Sequence, residues 1–267
     1  MTITYPPIGL LLRDWRAARR MSQLDLALDC GISARHLGFI EVGRAKASRE
    51  AVGRLADSLR VSLRERNALL LAAGFAPQHP ESDLASPALE RMRDAVALIL
   101  EHQNPYPAFV LNRNFDILDM NPSAVRIGGL ISGGKPPKHD NLLRQVFDPE
   151  DLRPVIANWP DVAAWFLRRL RDEMTATAGN QTARDLFEEI LAYPGVPAEW
   201  RRPMIGSDVH PVLTIDFLSP MGTLSFFETI TTFAAPLTPS LDELRIDCTY
   251  PANDHTAAIC RQLAEAD

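Results

Sequence analysis

Long apolar runs are missing from this sequence. No stretch approaches the roughly 18 apolar residues of a membrane-spanning helix, so no spanning helix and no membrane partner are expected. Cysteine is scarce: Cys30, Cys248 and Cys260 are the only three, none pair at metal-ligand spacing, and the odd count fits a reducing compartment. Cys30 reads as a small apolar filler. The N-terminus, MTITYPPIGLLLRDW, lacks a basic leader and a small-residue cleavage site, so the chain is expected to be mature and cytoplasmic. Catalytic constellations are missing too. Carboxylates are scattered, no Ser/His/Asp or Cys/His arrangement stands out, and no catalytic residue, metal site or cofactor is expected. The histidines His36, His102, His139, His210 and His255 are dispersed. A GGK occurs at Gly133–Lys135, but no Ser/Thr follows and no strand precedes it, which excludes a phosphate-binding loop.

What remains is a globular chain of 267 residues, long enough for one large domain or two ordinary ones. Its hydrophobic share of 46% and charged share of 23% suit a soluble core-forming protein. The net charge of -6 hides an asymmetry. Residues 1–79 hold 12 Lys/Arg against 7 Asp/Glu, and residues 80–267 hold 16 against 27. A basic N-terminal part on an acidic remainder suits a DNA-binding head on a body that duplex DNA repels.

The head is organised around SQLDLALDCGISARHLGFIE, Ser22–Glu41. Ser22 and Asp25 form a helix-start signal, and Gly31 supplies the turn that ends the helix. Leu24, Ala27 and Leu28 recur at helical spacing and are expected to face inward. Ser33 caps a second helix with Leu37 and Ile40 inward, leaving Ala34, Arg35, Gly38 and Phe39 on the open side. A helix with one buried stripe and one unobstructed face is what a DNA groove admits. Helices at Ile8–Arg20, Arg49–Leu59 and Leu63–Ala73 complete five, with GRAKAS between the third and fourth.

This stretch resembles the helix-turn-helix of the Xre/Cro/phage-repressor family. The resemblance is carried by Arg13, Arg16, Arg19, Ser22-Gln23, Leu26-Ala27, Gly31-Ile32-Ser33, Leu37, Ile40-Glu41, Gly43-Arg44 and Ser48. Ala47 stands where that family usually has Pro. The implied partner is double-stranded DNA. The DNA-binding residues expected from it are Gln23, Ser33, Ala34, Arg35, His36, Gly38, Phe39, Arg44 and Lys46. Gln23, Arg44 and Lys46 suit phosphates, and Arg35 is the best base reader because a guanidinium pairs bidentately with guanine.

Residues 77–87, PQHPESDLASP, hold three prolines and read as a linker between a head at 1–76 and a body at 88–267. A helix is expected at Ala88–His102, then short strands at Ala108–Leu111 and Phe115–Met120. An Asn121-capped helix, a short helix at Asn141–Phe147, and longer ones at Asp161–Thr175 and Thr182–Leu191 follow. Three strands at Val212–Leu218, Leu224–Phe233 and Leu244–Tyr250 and a last helix at Thr256–Ala266 close the chain. This order predicts a multidomain protein: an all-α five-helix head, then an α+β body with a five-stranded antiparallel sheet and helices on one face. The string FDILDMNPSAVRIGG resembles the start of a PAS domain, and the element order matches it.

Over almost its whole length the sequence resembles the MmyB-like transcription regulators, an Xre-type head joined to a PAS-like ligand-binding domain. RHLGFIEVGRAKASRE, RERNALLLAAGFAP, NPYPAFVLNRNFDIL, NLLRQVF, NWPDVAAWFLRRLR, LSFFETITTF and ELRIDCTYPAND carry this resemblance. Gly38 stands where the family typically has Ser. The resemblance implies a fatty acid or similar lipid in the body.

Polar residues within apolar strings are the candidate contacts for such a ligand's polar end. Asn121, Arg144 and Asn158 are the natural anchors, with Tyr106, Phe109, Phe147, Trp159, Trp165 and Phe226 as walls. The asparagines also suit helix caps. The functional expectation is a homodimeric, lipid-responsive DNA-binding regulator. A haem or flavin PAS-type sensor, an enzyme fused to a helix-turn-helix, and a scaffold whose pocket is filled by side chains are the alternatives.

Overall fold

The computed structural model describes residues 7–79, 89–176, 180–202, 213–234, 236 and 238–266. Most of the expected linker, together with Ala88, His210 and Val212, lies outside them. The chain forms two compact units. One, the head, comprises residues 1–83 with 172–181 and 235–242, and the other, the body, comprises 84–171, 182–234 and 243–267.

The head is built from α1 (Ile8–Ala18), α2 (Gln23–Asp29), α3 (Ala34–Glu41), α4 (Arg49–Ser58) and α5 (Leu63–Ala72). Serine starts four of them. Ser22, Ser33, Ser48 and Ser62 each accept from a backbone N–H three residues on, and Asp25 and Glu65 return the bond as capping boxes. Each such cap is worth about 1 kcal/mol. Leu12, Trp15, Leu26, Leu37, Ile40, Leu55 and Leu59 form the core these helices enclose. Burying a Leu or Ile side chain stabilises by roughly 1.5–3 kcal/mol, so this cluster outweighs the caps.

One expectation about α2 is corrected. Leu24 and Leu28 are 58% and 71% exposed, while Leu26 and Ala27 are buried. The helix has only seven residues, so two adjacent positions suffice to face the core. Asn67 extends the head into the expected linker: its side chain accepts from the N–H groups of Gln78 and His79 at 3.0 Å each.

The body begins with α6 (Glu90–Gln103), β1 (Ala108–Leu111), β2 (Ile117–Met120), α7 (Pro122–Ser132) and α8 (Leu142–Phe147). It continues with α9 (Trp159–Ala176) and α10 (Gln181–Leu191), whose terminal residues fall in the ranges grouped with the head. β3 (Thr214–Ser219), β4 (Gly222–Thr231), the short α11 (Pro239–Asp242, within the head's ranges), β5 (Arg245–Pro251) and α12 (Asp254–Glu265) close the chain. The five strands form one sheet in the order β2-β1-β5-β4-β3, antiparallel throughout.

The pleat sorts side chains to two faces. Ala108, Val110, Ile246 and Cys248 pack against Val96 and Leu100 of α6. Helices therefore cover both faces, not one: α6 takes this face because its apolar stripe matches the small and β-branched residues there. The opposite face carries Phe217 and Phe226, which pack with Ile127 and Ile131 of α7 and Ile259 of α12.

Candidate functional site

In the head, α3 presents its N-terminal half to solvent. Leu37 and Ile40 are fully buried, which turns Ser33 and Arg35 outward and leaves Ala34, His36, Gly38 and Phe39 half-buried. The Arg35 guanidinium lies over the Phe39 ring, 5.4 Å from its centroid. This cation–π contact holds a long side chain along the open face. Gly43, at φ +75°, turns the chain after α3, and the N–H groups of Arg44 and Ala45 both donate to the Phe39 carbonyl. That turn carries Arg44 and Lys46, both exposed. Gln23 is exposed at the start of α2, but its amide donates to Glu41 at 2.7 Å. A Cβ at Gly38 would meet Gln23 Oε1 at 3.5 Å, an ordinary contact. All nine residues expected at the DNA thus lie on α2, α3 and the following turn.

The body holds a cavity of about 430 Å³ that is partly open to solvent. This falls within the roughly 300–1,000 Å³ of small-molecule sites. Phe109, Met120, Ile215, Phe217 and Phe226 line it from the sheet, and Ala124, Ile127 and Ile131 from α7. Val146, Val162 and Phe166 come from α8 and α9. Gly128 and Gly129 of α7 lie on the wall, and a Cβ built on either would meet nothing within 4 Å. The loop from Gly134 to Pro137 borders it.

Of the expected walls, Phe109 and Phe226 are in place. The other seven candidates are distributed elsewhere in the body. Asn121 caps α7, accepts from the Ala108 N–H at 3.0 Å and donates to the Leu100 and Tyr106 carbonyls. Asn158 bridges the Thr214 carbonyl and the Asp216 N–H. Both are structural ties to the backbone. Arg144 makes a two-pronged pair with Glu189 of α10, at 2.8 and 2.9 Å. The hydrogen bond to Arg144 holds the Glu189 carboxyl below its ordinary range. Trp159 donates to the Val146 carbonyl and stands edge-on to Phe147. Trp165 packs edge-on to Phe166 with Arg169 above it, and Tyr106 leans on Tyr250.

The anchor expected at Arg144 is therefore outside the cavity lining, for a helical reason. Leu142, Gln145 and Val146 are the α8 residues on the cavity wall, and Arg144 is turned about 100° from Gln145, where it meets Glu189 of α10.

Sequence reasoning missed Glu228. It lines the cavity from β4, opposite Thr249 of β5. Its Oε2 is enclosed and has no hydrogen-bond partner among the described residues. Burial pushes its carboxyl up to about 7, the Asp247 carboxylate pushes the same way, and Arg169 pulls back. Asp247 is fully buried, accepts from Arg169 Nη1 at 3.2 Å, and is itself raised by burial. The signal was available: Leu224, Phe226 and Glu228 alternate onto one face, so a lone Glu continues an apolar row.

Among the described residues, no group of three or more His, Cys, Asp or Glu is placed to hold a metal. No helix among them is long and apolar enough to cross a membrane.

A helix-turn-helix head joined to a body with an apolar cavity is the build of a ligand-responsive, DNA-binding regulator. Residues 12–66 match the helix-turn-helix family model, and residues 92–263 match the MmyB-like transcription regulator ligand binding domain. The chain belongs to the MmyB-like transcription regulators, with an Xre-type helix-turn-helix head. Both families are of regulator type. Comparison with curated proteins finds no match. Among solved structures, an RNA-binding Light-Oxygen-Voltage receptor is similar at 14% identity over 97% of this chain, with a TM-score of 0.24. The chain spans 63% of that receptor's length, and a likeness this slight carries no argument.

Proposed function

We propose that this protein regulates transcription by binding operator DNA through its head, under control of a small lipid such as a fatty acid held in the body. The observation that carries the ligand half is the cavity with its aromatic and aliphatic wall. Each buried methylene contributes about 0.8 kcal/mol, so a chain of about a dozen carbons gains near 10 kcal/mol before the costs of ordering and association. A ligand that prefers one of two conformations shifts the population toward it, which is how occupancy would reach the operator.

Arg35, Gly38 and Phe39 are assigned nearest the base edges, with Gln23, Arg44 and Lys46 at phosphates. The exposure of Arg35, Arg44 and Lys46 on α3 and its following turn supports this assignment. One recognition helix covers few base pairs, so a homodimer on two half-sites about one helical turn apart is part of the reading. Organic extraction of the purified protein followed by mass spectrometry tests the ligand. A lipid in the extract, or a thermal shift on adding medium- or long-chain fatty acids, is expected. A clean extract together with no shift removes the lipid.

A further inference from the structure

A lipid seated in this cavity needs somewhere for its polar end. Among the described residues, six on the lining carry polar side chains, and five of these make a local bond or sit in the exposed loop. The Ser132 hydroxyl donates to the Lys135 carbonyl at 2.7 Å, and the Gln145 amide to the His139 carbonyl at 2.6 Å. The Thr249 hydroxyl donates to the Pro107 carbonyl at 2.8 Å. Asp151 accepts from the Lys138 N–H at 3.0 Å. Lys135 sits in the exposed loop after α7. Glu228 is the sixth, with Oε2 enclosed and unpartnered among the described residues. A buried acceptor left unmade costs about 1–3 kcal/mol, more if charged, so a ligand whose donor reaches Glu228 relieves that cost.

We propose that Glu228 is the polar anchor of the cavity and selects amphiphiles whose head group donates a hydrogen bond, a hydroxyl or a protonated amine. This rests on the lipid-cavity reading above and narrows its ligand class. A carboxylate head group has no proton to donate and adds negative charge beside Glu228 and Asp247, whose carboxyls burial already pushes up. The cations of the cluster, Arg169 of α9 and Arg245 of β5, are not on the cavity wall; Arg169 is turned to Asp247 and the rings of Phe115, Trp165 and Phe166. A fatty acid therefore seats at Glu228 only where the two carboxyls share one proton, carried by the ligand or by Glu228. A donor head group is accepted by Glu228 in either protonation state, because each state keeps an acceptor oxygen.

The test is calorimetric titration of the delipidated full chain near neutral pH with decanol, decylammonium and decanoate, which share one tail. Wild type is expected to bind decanol and decylammonium about tenfold or more tightly than decanoate, the worth of one well-made bond to a charged or buried acceptor. Glu228→Leu is expected to lose that preference while still taking the tail. Glu228→Gln, nearly isosteric, keeps an acceptor but not the charge, so decanol binding holds and the advantage of decylammonium over decanol shrinks. Decanoate binding wild type as tightly as decanol overturns the anchor and leaves the lipid cavity standing. So does an unchanged head-group preference in both variants. If none of the three probes binds wild type, the lipid reading itself falls, and the anchor with it.

Discussion

Arg16 of α1 grips Glu41 at the end of α3 with two prongs, Nε to Oε1 at 2.9 Å and Nη2 to Oε2 at 3.1 Å. The Glu41 carboxylate is fully enclosed, and Gln23 of α2 donates to it as well. One buried charge thus ties three helices and sets the end of the helix assigned to the DNA groove. Gly9 makes the same junction close: its Cα faces the Ile40 and Glu41 carbonyls so tightly that a Cβ would stand 2.8 Å from the Ile40 oxygen.

Arg16→Ala leaves that carboxylate without its countercharge and is expected to cost about 3–5 kcal/mol of head stability. Replacing both partners with apolar residues of similar volume should recover much of the loss. Hydrogen exchange of the α2 and α3 amides in the full chain reads this locally. Amides in Arg16→Ala protected as in wild type would show that the pair contributes little.

DNA contact separates into reading and holding. Arg35→Ala is expected to cost on the order of 1–3 kcal/mol at the cognate site and to relax specificity there. Lys46→Ala should weaken specific and random DNA alike and flatten the salt dependence by about one unit of slope. Fluorescence anisotropy with cognate and scrambled duplexes at several salt concentrations distinguishes the two. Identical behaviour of both variants on both duplexes contradicts the assignment.

The head was legible because its signals are local. Ser22, Ser33 and Gly31 act through the backbone within four residues, and the structure uses each as the sequence announces. The five strands of the body were legible from alternation and turn residues. The cavity was not, because its wall is assembled from β1, β4, α7, α8 and α9, which only the sheet order brings together. Arg144 misled for a related reason: its partner Glu189 is 45 residues away, and sequence spacing does not announce such a pair. Asn121 and Asn158 looked equally suited to a ligand or to the backbone, and the backbone took both.

Two glycines of α7, Gly128 and Gly129, border the cavity. Gly129→Leu projects a branched side chain from α7 into open space on the wall, and Gly128→Leu does the same one step away. Neither glycine has a left-handed backbone, so the substitution is unstrained; an interior helical glycine costs roughly 0.5–1 kcal/mol relative to Ala, and the variants are expected to be at least as stable as wild type. Lipid occupancy, read by extraction and mass spectrometry, should fall several-fold. A destabilised protein with unchanged lipid content would place the ligand elsewhere.

The last prediction concerns acid. Asp148, at the end of α8, is buried, and burial alone would raise its carboxyl. Three groups outweigh that: His139 Nε2 lies 2.8 Å from its Oδ2, the Glu150 N–H donates to its Oδ1 at 2.8 Å, and Lys138 Nζ stands 3.0 Å from Oδ2. Together they hold the carboxyl down to about 2, from 3.8. A group whose folded pKa is depressed favours the folded state above its unfolded pKa, and that stability is lost as pH falls through the folded value. The contribution of Asp148 is therefore complete above about pH 4 and disappears between about pH 4 and pH 2. Asp148→Asn removes the titration along with the charge. The variant is expected to be less stable than wild type at neutral pH and to lose less on acidification, so the two thermal midpoints converge toward pH 2. Thermal melts of the full chain at several pH values between neutral and pH 2 measure this, and parallel acid limbs for the two proteins would show that Asp148 is not one of the groups that drive acid unfolding.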